Sequence, residues 1–168
     1  MTLSTSAELS IPASCYCGAV KYIVHSLPTS PPKLCHCTNC RKAMASGVQW
    51  AGYMPASSIE ILSKETVKGF ARCQSFFPGV VAFERCFCSQ CGSRVWNVLV
   101  KEEDGRQVRY LGVFPGLFDD PDDAKIEGFR PKSHLFCGEE VALTQWRGFD
   151  EMQLLEGFSS AKTAKTDK

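Results

Sequence analysis

Residues 88–92 have the sequence Cys88-Ser89-Gln90-Cys91-Gly92, a CxxC pair followed by glycine, and this stretch decides the fold. A CxxC pair forms a tight knuckle whose backbone amides can donate hydrogen bonds to the two sulfurs. Far earlier in the chain, Cys15-Tyr16-Cys17 forms a CxC pair, and residues two apart in an extended segment point to the same face. Together the four thiolates would complete a tetrahedral metal site and connect the early chain to the middle of the fold.

A third cluster, Cys35-His36-Cys37-Thr38-Asn39-Cys40, places three more sulfurs within one short segment. Three ligands from such a segment can hold an ion and leave its fourth position open to water or substrate. A closed site builds structure, whereas an open site can do chemistry. We expect Cys40 to lie in the first turn of a short helix, where the helix dipole favours a thiolate.

Spacing alone does not divide these seven cysteines between two sites. Cys37 and Cys40 could also join Cys88 and Cys91 in a single four-ligand site. Disulfides are the less favoured alternative, because cysteines two or three residues apart seldom bridge each other comfortably.

Three cysteines stand outside the clusters: Cys73, Cys86 and Cys137. Each is predicted to be a small, buried apolar residue. Cys86 is the exception to consider among these three cysteines, because it lies on the same face as Cys88 if the strand runs straight.

Composition and charge exclude several classes of protein. The chain has 168 residues and a formal net charge of +1, so it has no basic surplus to attract nucleic acid or an anionic membrane. No apolar run approaches the roughly 20 residues that cross a bilayer. Because Met1–Ser10 is polar and lacks signal-peptide features, we expect a cytoplasmic protein with reduced thiols, although the nucleus stays open.

The chain is expected to contain one domain, residues 11–150, between two tails. Residues 1–10 are rich in Ser and Thr and are predicted to be flexible, and residues 151–168 are predicted to form a short helix and a flexible tail.

The pattern inside the domain predicts a mainly β fold with few short helices. Strands are expected where β-branched and aromatic residues recur: Ala19–His25, Gly47–Met54, Val80–Phe87, Arg94–Lys101 and Gln107–Phe114. A hairpin turn is predicted at Glu103-Asp104-Gly105-Arg106. Thr38 is the expected cap of a short helix that continues to Ala45.

The ordered motifs resemble the family of glutathione-dependent formaldehyde-activating enzymes, which includes the centromere protein V domain. The matching stretches are Ser14–Tyr22, Cys35–Lys42, Phe87–Gly92 and Gly116–Pro121, followed by His134 and Trp146. The resemblance covers Ile11 to Trp146 and implies an antiparallel, β-tent-like fold with two zinc ions. It implies a structural zinc on Cys15, Cys17, Cys88 and Cys91, and a functional zinc on Cys35, Cys37 and Cys40.

The resemblance also implies carbon–sulfur bond chemistry. Glutathione and formaldehyde would join to give S-hydroxymethylglutathione, or the reaction would run in reverse as a lyase. Zinc with an open position can lower the pKa of a bound thiol and polarise an aldehyde oxygen. Since three thiolates donate much charge to the ion, we expect thiolate delivery to dominate over carbonyl polarisation. We also expect this zinc to be labile, because its thiolates can exchange places with an incoming thiol. Another aldehyde or another glutathione conjugate is an alternative substrate.

Polar residues near the motifs are candidates for further roles. His36 is a candidate proton carrier, with a structural hydrogen bond as the alternative. Arg41 and Lys42 are candidates to bind a carboxylate of glutathione, and His134 is a candidate to line the site.

Later in the chain, Asp119 and Asp120 are a candidate catalytic pair, although Asp-Asp-Pro first indicates a turn. Two residues depart from the family pattern: Ala13 replaces a glycine, and Phe118 replaces a leucine. We expect Phe118 to reshape the substrate side of the site.

The rival interpretation is a non-enzymatic zinc scaffold that binds a protein partner, as the centromere protein V relationship implies. An extended basic arm would favour the scaffold, and this chain has only a short basic tail. The complete set of Cys35, Cys37 and Cys40 favours the enzyme. A zinc ribbon that binds nucleic acid is disfavoured by the near-neutral charge.

Overall fold

The structure is a computed structural model that describes residues 9–70, 79–120, 122 and 126–136. Within these residues the chain is mainly β, as the sequence predicted, with ten strands and a seven-residue α-helix. The strands are β1 (Ile11–Ser14), β2 (Lys21–Val24), β3 (Lys33–Cys35), β4 (Gln49–Pro55), β5 (Ile59–Ser63), β6 (Val67–Phe70), β7 (Val80–Cys88), β8 (Arg94–Glu103), β9 (Arg106–Val113) and β10 (Ser133–Leu135). The helix α1 spans Thr38–Met44, and short 3-10 turns span Ala56–Ser58 and Pro115–Leu117.

The strands form two open sheets. One has three strands in the order β1-β2-β5, and the other has seven in the order β10-β3-β4-β9-β8-β7-β6. Neighbouring strands are antiparallel, as the resemblance implied, except that β10 lies parallel to β3. The parallel pair places His134 opposite Leu34, beside the strand that ends at Cys35.

Alternation along the strands gives the large sheet two different faces. One face joins the small sheet in a single apolar core, to which β8 contributes Trp96 and Val98. Tyr22 of β2 is buried in this core and packs edge-on against Trp96, with the ring centroids 5.5 Å apart. Fully burying one such apolar side chain stabilises the fold by about 1.5–3 kcal/mol. The opposite face, which carries Leu99 and Tyr110, lines a cavity.

The predicted hairpin between β8 and β9 is confirmed. The two strands pair in register from Trp96 opposite Val113 to Glu103 opposite Arg106. Asp104 and Gly105 both have positive φ, 50° and 73°, which is the backbone signature of a type I′ turn.

The predicted cap of α1 was wrong by one residue. Cys37, not Thr38, has the extended cap conformation, and its sulfur accepts a hydrogen bond from the Cys40 amide at 3.4 Å. The sulfur can do this because it already lies beside the free amides of the first helical turn.

The prediction for Phe118 was also wrong, because this ring is buried in the core and does not line the cavity. It packs edge-on against Phe129, with the centroids 5.0 Å apart, and it pairs across a single bridge with Ala13. The two departures from the family pattern therefore meet each other in the core.

Several predictions lie outside the described residues. They concern Cys73, Cys137, Trp146, the helix near Glu151 and most of both tails. Among the described residues, no helix is long and apolar enough to cross a membrane.

Candidate metal centres

The four cysteines that the resemblance assigns to the structural zinc lie together. The sulfurs of Cys15, Cys17, Cys88 and Cys91 all lie within 4.8 Å of one another. Cys17 Sγ is 3.6 Å from Cys15 Sγ and 3.8 Å from Cys88 Sγ. Tetrahedral zinc with Zn–S bonds of about 2.3 Å holds its sulfurs roughly 3.8 Å apart, whereas a disulfide would bring two sulfurs to about 2.05 Å. The separations therefore fit zinc and not oxidised pairs.

Backbone turns position the four cysteines, and nearby hydroxyl groups form hydrogen bonds with two of their sulfurs. Gly18 and Gly92 follow the two pairs with φ of 74° and 76°, a conformation that glycine adopts without steric cost. The hydroxyl of Thr66 lies 3.3 Å from Cys88 Sγ and lowers the pKa of that thiol. Hydrogen bonding with the side chain and backbone of Ser93 lowers the pKa of Cys91 to about 5. These groups favour the thiolate form that a metal requires.

The three-cysteine site lies where β3 ends and α1 begins. The sulfurs of Cys35, Cys37 and Cys40 lie within 4.8 Å of one another. Arg41 holds the connecting loop, since its Nε donates to the carbonyl of His36 at 2.9 Å. The amide of His36 in turn donates to the carbonyl of Leu135 in β10 at 3.0 Å. The loop is therefore fixed from both sides.

The three thiols differ in how readily they ionise. A hydrogen bond from the Cys40 thiol lowers the pKa of Cys35 to about 6, against the opposing effect of burial. The same hydrogen bond, together with burial, raises the pKa of Cys40 well above its usual range. One thiolate therefore forms easily, and the remaining protons leave when a cation takes their place.

His36 and His134 meet each other behind the cysteine loop. Nε2 of His36 lies 2.8 Å from Nδ1 of His134, and the two rings are stacked with centroids 5.1 Å apart. One nitrogen must donate and the other accept, so the pair shares a hydrogen. Neither ring lines the cavity. This geometry fits a structural hydrogen bond, and a catalytic role for His36 stays a prediction.

The three cysteines open onto a cavity of about 420 Å³ on the second face of the large sheet. Its walls include the aromatic rings of Tyr53, Phe83 and Tyr110. Lys33, Arg85 and Lys101 bring positive charge, and none of the described lining residues carries a carboxylate.

A buried chain of hydrogen bonds leads to Tyr53. Arg94 Nη2 donates to Asn97 Oδ1 at 2.7 Å, and Asn97 Nδ2 donates to the hydroxyl of Tyr53 at 2.9 Å. Burial raises the pKa of Tyr53 well above its usual range, so the phenol stays protonated. Its ring lies over Gly112, where an added Cβ would come within 2.5 Å of a ring carbon.

The Asp119–Asp120 pair lies away from the cavity. Asp119 Oδ1 accepts a hydrogen bond from Ser14 Oγ at 2.5 Å, and the Asp119 amide donates to the Pro12 carbonyl at 2.9 Å. Asp119 therefore stabilises the position of β1, which agrees with the interpretation of Asp-Asp-Pro as a turn.

Cys86 is buried and belongs to neither cysteine cluster, and burial raises its pKa to about 11.

Sequence reasoning missed Tyr53, Asn97 and Arg85. The available signal was a polar or charged residue near the middle of each strand on the face opposite the core. A polar residue at such a position indicates a functional role only once the structure shows that this face of the sheet lines a cavity.

Comparison with known proteins supports the family resemblance that the cysteine motifs indicated. The sequence profile of the family described as "Glutathione-dependent formaldehyde-activating enzyme" matches residues 10–139, which contain both cysteine clusters and the described cavity walls. A protein of Halomonas elongata named "Putative glutathione-dependent formaldehyde-activating enzyme" is 32% identical over 87 residues, or 49% of this chain and 52% of that protein. The chain thus matches about half the length of this relative. From the family match, the chain belongs to the family of glutathione-dependent formaldehyde-activating enzymes.

Proposed function

We propose that this chain is a carbon–sulfur lyase that makes or cleaves the adduct of a small aldehyde with glutathione or a related thiol. The observation that carries this proposal is the position of Cys35, Cys37 and Cys40, whose clustered sulfurs open onto a cavity of about 420 Å³. A purely structural metal site has no need of such an opening, whereas small-molecule sites commonly enclose roughly 300–1,000 Å³.

The donor atoms fit zinc at both sites, because thiolates are the ligands that structural and open zinc sites share. Cys15, Cys17, Cys88 and Cys91 would hold the structural ion, and Cys35, Cys37 and Cys40 would hold the functional one. When bound with an open position, zinc lowers the pKa of a thiol and withdraws electron density from a carbonyl oxygen.

The direction of each hydrogen bond assigns a role to Tyr53. Arg94 can only donate, so Asn97 Oδ1 must be the acceptor and its Nδ2 must donate to Tyr53. The phenol oxygen therefore accepts, and its own hydrogen is available to a group in the cavity. We assign Tyr53 as the donor to the substrate oxygen.

The reaction then balances without a further reagent. In the synthetic direction the thiol gives up its proton and the sulfur lone pair forms the carbon–sulfur bond, while the carbonyl π pair moves to oxygen, which Tyr53 stabilises and which takes up that proton. In the lyase direction the hydroxyl loses its proton, the carbonyl re-forms, and sulfur leaves with the electron pair of the carbon–sulfur bond and regains the proton. Such a donor to a developing oxyanion typically contributes about 10²–10³ in rate.

Direct contacts of Arg41 and His134 with substrate are also part of the proposal, although neither residue lines the cavity described here. Arg41 supports the site through the carbonyl of His36, and His134 supports it through the His36 ring.

Replacing Cys40 with Ser tests the proposed function. The zinc-loaded wild type should hold two ions per chain, and Cys40→Ser should hold one while keeping its fold. Because formaldehyde and glutathione also combine without a catalyst, turnover is measured as enzyme-accelerated exchange between formaldehyde and its glutathione adduct by NMR exchange spectroscopy. That acceleration should disappear in Cys40→Ser.

Cys86→Ala is the matched control, because Cys86 is equally buried but belongs to neither cluster. It should keep both ions and full acceleration. Undiminished acceleration in Cys40→Ser would overturn the proposal. Loss of folding in that variant would show that the second site is structural, as the scaffold interpretation requires.

A further inference from the structure

Arg85 of β7 is a buried cation in the cavity wall. Its side chain is only 6% exposed, and its guanidinium carbon lies 4.8 Å from the centre of the Phe83 ring. Its Nε is buried and has no acceptor among the described residues. Arginine stays protonated, and a buried donor without a partner is costly. An acceptor that enters the cavity would remove that cost.

The surroundings of Arg85 add positive charge. Arg94 has a buried Nη1 without an acceptor among the described residues. Burial and the neighbouring charge of Arg85 lower the pKa of Arg94 to about 10, which leaves it protonated at neutral pH. Lys33 and Lys101 line the same cavity, whose described walls contain no carboxylate. Apart from the cysteine thiolates, the described charged groups in the cavity wall are all cationic, which favours a negatively charged ligand.

The sheet register relates Arg85 to the proposed reaction centre. Arg85 pairs with Asn97, Asn97 with Gly112, and Gly112 with Tyr53, so all four residues lie at one level of the sheet. Three strand spacings of about 4.8 Å separate the backbones of Arg85 and Tyr53 by roughly 14 Å. Both side chains line the cavity between them. A thiol whose sulfur lies at the cysteines can therefore extend past Tyr53 toward Arg85.

We propose that Arg85 is a carboxylate-binding residue, and that the site selects thiols that carry a carboxylate several bonds from the sulfur. The choice of thiols as ligands rests on the proposed function, whereas the preference for a carboxylate rests on the cavity alone. Arg85 offers a planar pair of donors, which suits the two oxygens of a carboxylate.

The test separates carboxylate binding from thiol chemistry by using a ligand without a free thiol. Zinc-loaded full-length protein is titrated by calorimetry with S-methylglutathione and with its diethyl ester, which has no carboxylate. The wild type should bind the acid about 10- to 100-fold more tightly than the ester. Arg85→Met should reduce this ratio to near one, and Arg85→Lys should retain part of it.

Lys68→Met is the matched control, because it removes the same charge from an exposed position on the neighbouring strand β6. Its acid-to-ester ratio should equal that of the wild type. If Arg85→Met does not fold, Arg85→Lys decides, since it keeps the charge but loses the planar donor pair. An unchanged ratio in that lysine variant would then overturn the proposal.

The remaining outcomes separate the two proposals. If Arg85 only offsets the charge of the thiolates, Arg85→Met will release zinc from the three-cysteine site and leave the acid-to-ester ratio unchanged, which overturns the carboxylate site. A wild type that binds acid and ester equally overturns it too. An Arg85-dependent ratio without any accelerated exchange in the wild type supports the carboxylate site and refutes the proposed function.

Discussion

The orientation of the Tyr53 hydroxyl depends on a chain of hydrogen bonds that begins at Arg94, whose guanidinium can only donate. Because Arg94 fixes the orientation of the Asn97 amide, the phenol oxygen of Tyr53 accepts from Asn97, and the phenol hydrogen is left for a ligand in the cavity. The same chain buries polar groups that would be costly if one were removed. The contacts that stabilise Tyr53 are therefore the same contacts that its proposed role as a hydrogen-bond donor requires.

Tyr53→Phe should slow the enzyme-accelerated exchange about 100-fold, because it removes the donor to the substrate oxygen. Most of the loss should fall on kcat, since the hydrogen bond is strongest when charge develops on that oxygen. Tyr110→Phe is the control, because Tyr110 lines the same cavity but its hydroxyl contacts Glu103. Equal losses in the two variants would remove Tyr53 from the mechanism.

At the scale of single residues, the cysteines were predictable and the cavity residues were not. Cysteine spacing identifies the seven candidate ligands, because a metal requires several sulfurs close together, although their division between two sites needed the resemblance. Tyr53 and Arg85 have no such signature. Their importance depends on which strand face meets the cavity, and this follows from pairing between distant parts of the chain.

At the scale of secondary structure, every described strand that the sequence did not predict is short. Each of the five predicted strands overlaps an observed strand: β2, β4, β7, β8 and β9. The missed strands, β1, β3, β5, β6 and β10, have three to five residues each. So few residues give little periodicity, and such strands exist mainly because a neighbour pairs with them.

The β8–β9 hairpin offers a clean test of backbone conformation. Gly105 has φ of 73°, and an added Cβ would meet nothing within 4 Å. Gly105→Ala should therefore lower the free energy of unfolding by about 1–2 kcal/mol through the backbone alone. Chemical denaturation measures this change, and the zinc content should stay the same.

Gly116→Ala is the control for the hairpin variant, since Gly116 also has open space around it but its φ is not positive. It should change the free energy of unfolding by less than about 0.5 kcal/mol. If Gly105→Ala is as stable as this control, the positive φ at the turn carries no cost.

At the scale of the whole molecule, the four-cysteine site joins the two sheets. Cys15 follows β1 of the small sheet, and Cys88 ends β7 of the large one. Both belong to the core cluster that the two sheets share. A metal ion held by these sulfurs would therefore act on the global fold, and the binding free energy would become folding free energy.

Cys88→Ser should release the structural ion and unfold the domain, because the remaining three sulfurs lie around a broken site in the core. Metal analysis and thermal melting by circular dichroism measure the two effects together. Cys86→Ala, two residues away on the same strand, should keep its metal and melt cooperatively. A folded, metal-replete Cys88 variant would contradict the structural role of this site.

The parallel pairing of β10 with β3 affects the order in which the two cysteine sites can form during synthesis of the chain. A ribosome has already made all four sulfurs of the first centre by residue 91, whereas the strand that backs Cys35 comes from residues 133–135. A nascent chain can thus capture its first ion early, while the wall behind its second centre has yet to be synthesised. The wall of the three-cysteine centre is therefore completed after the four-cysteine centre.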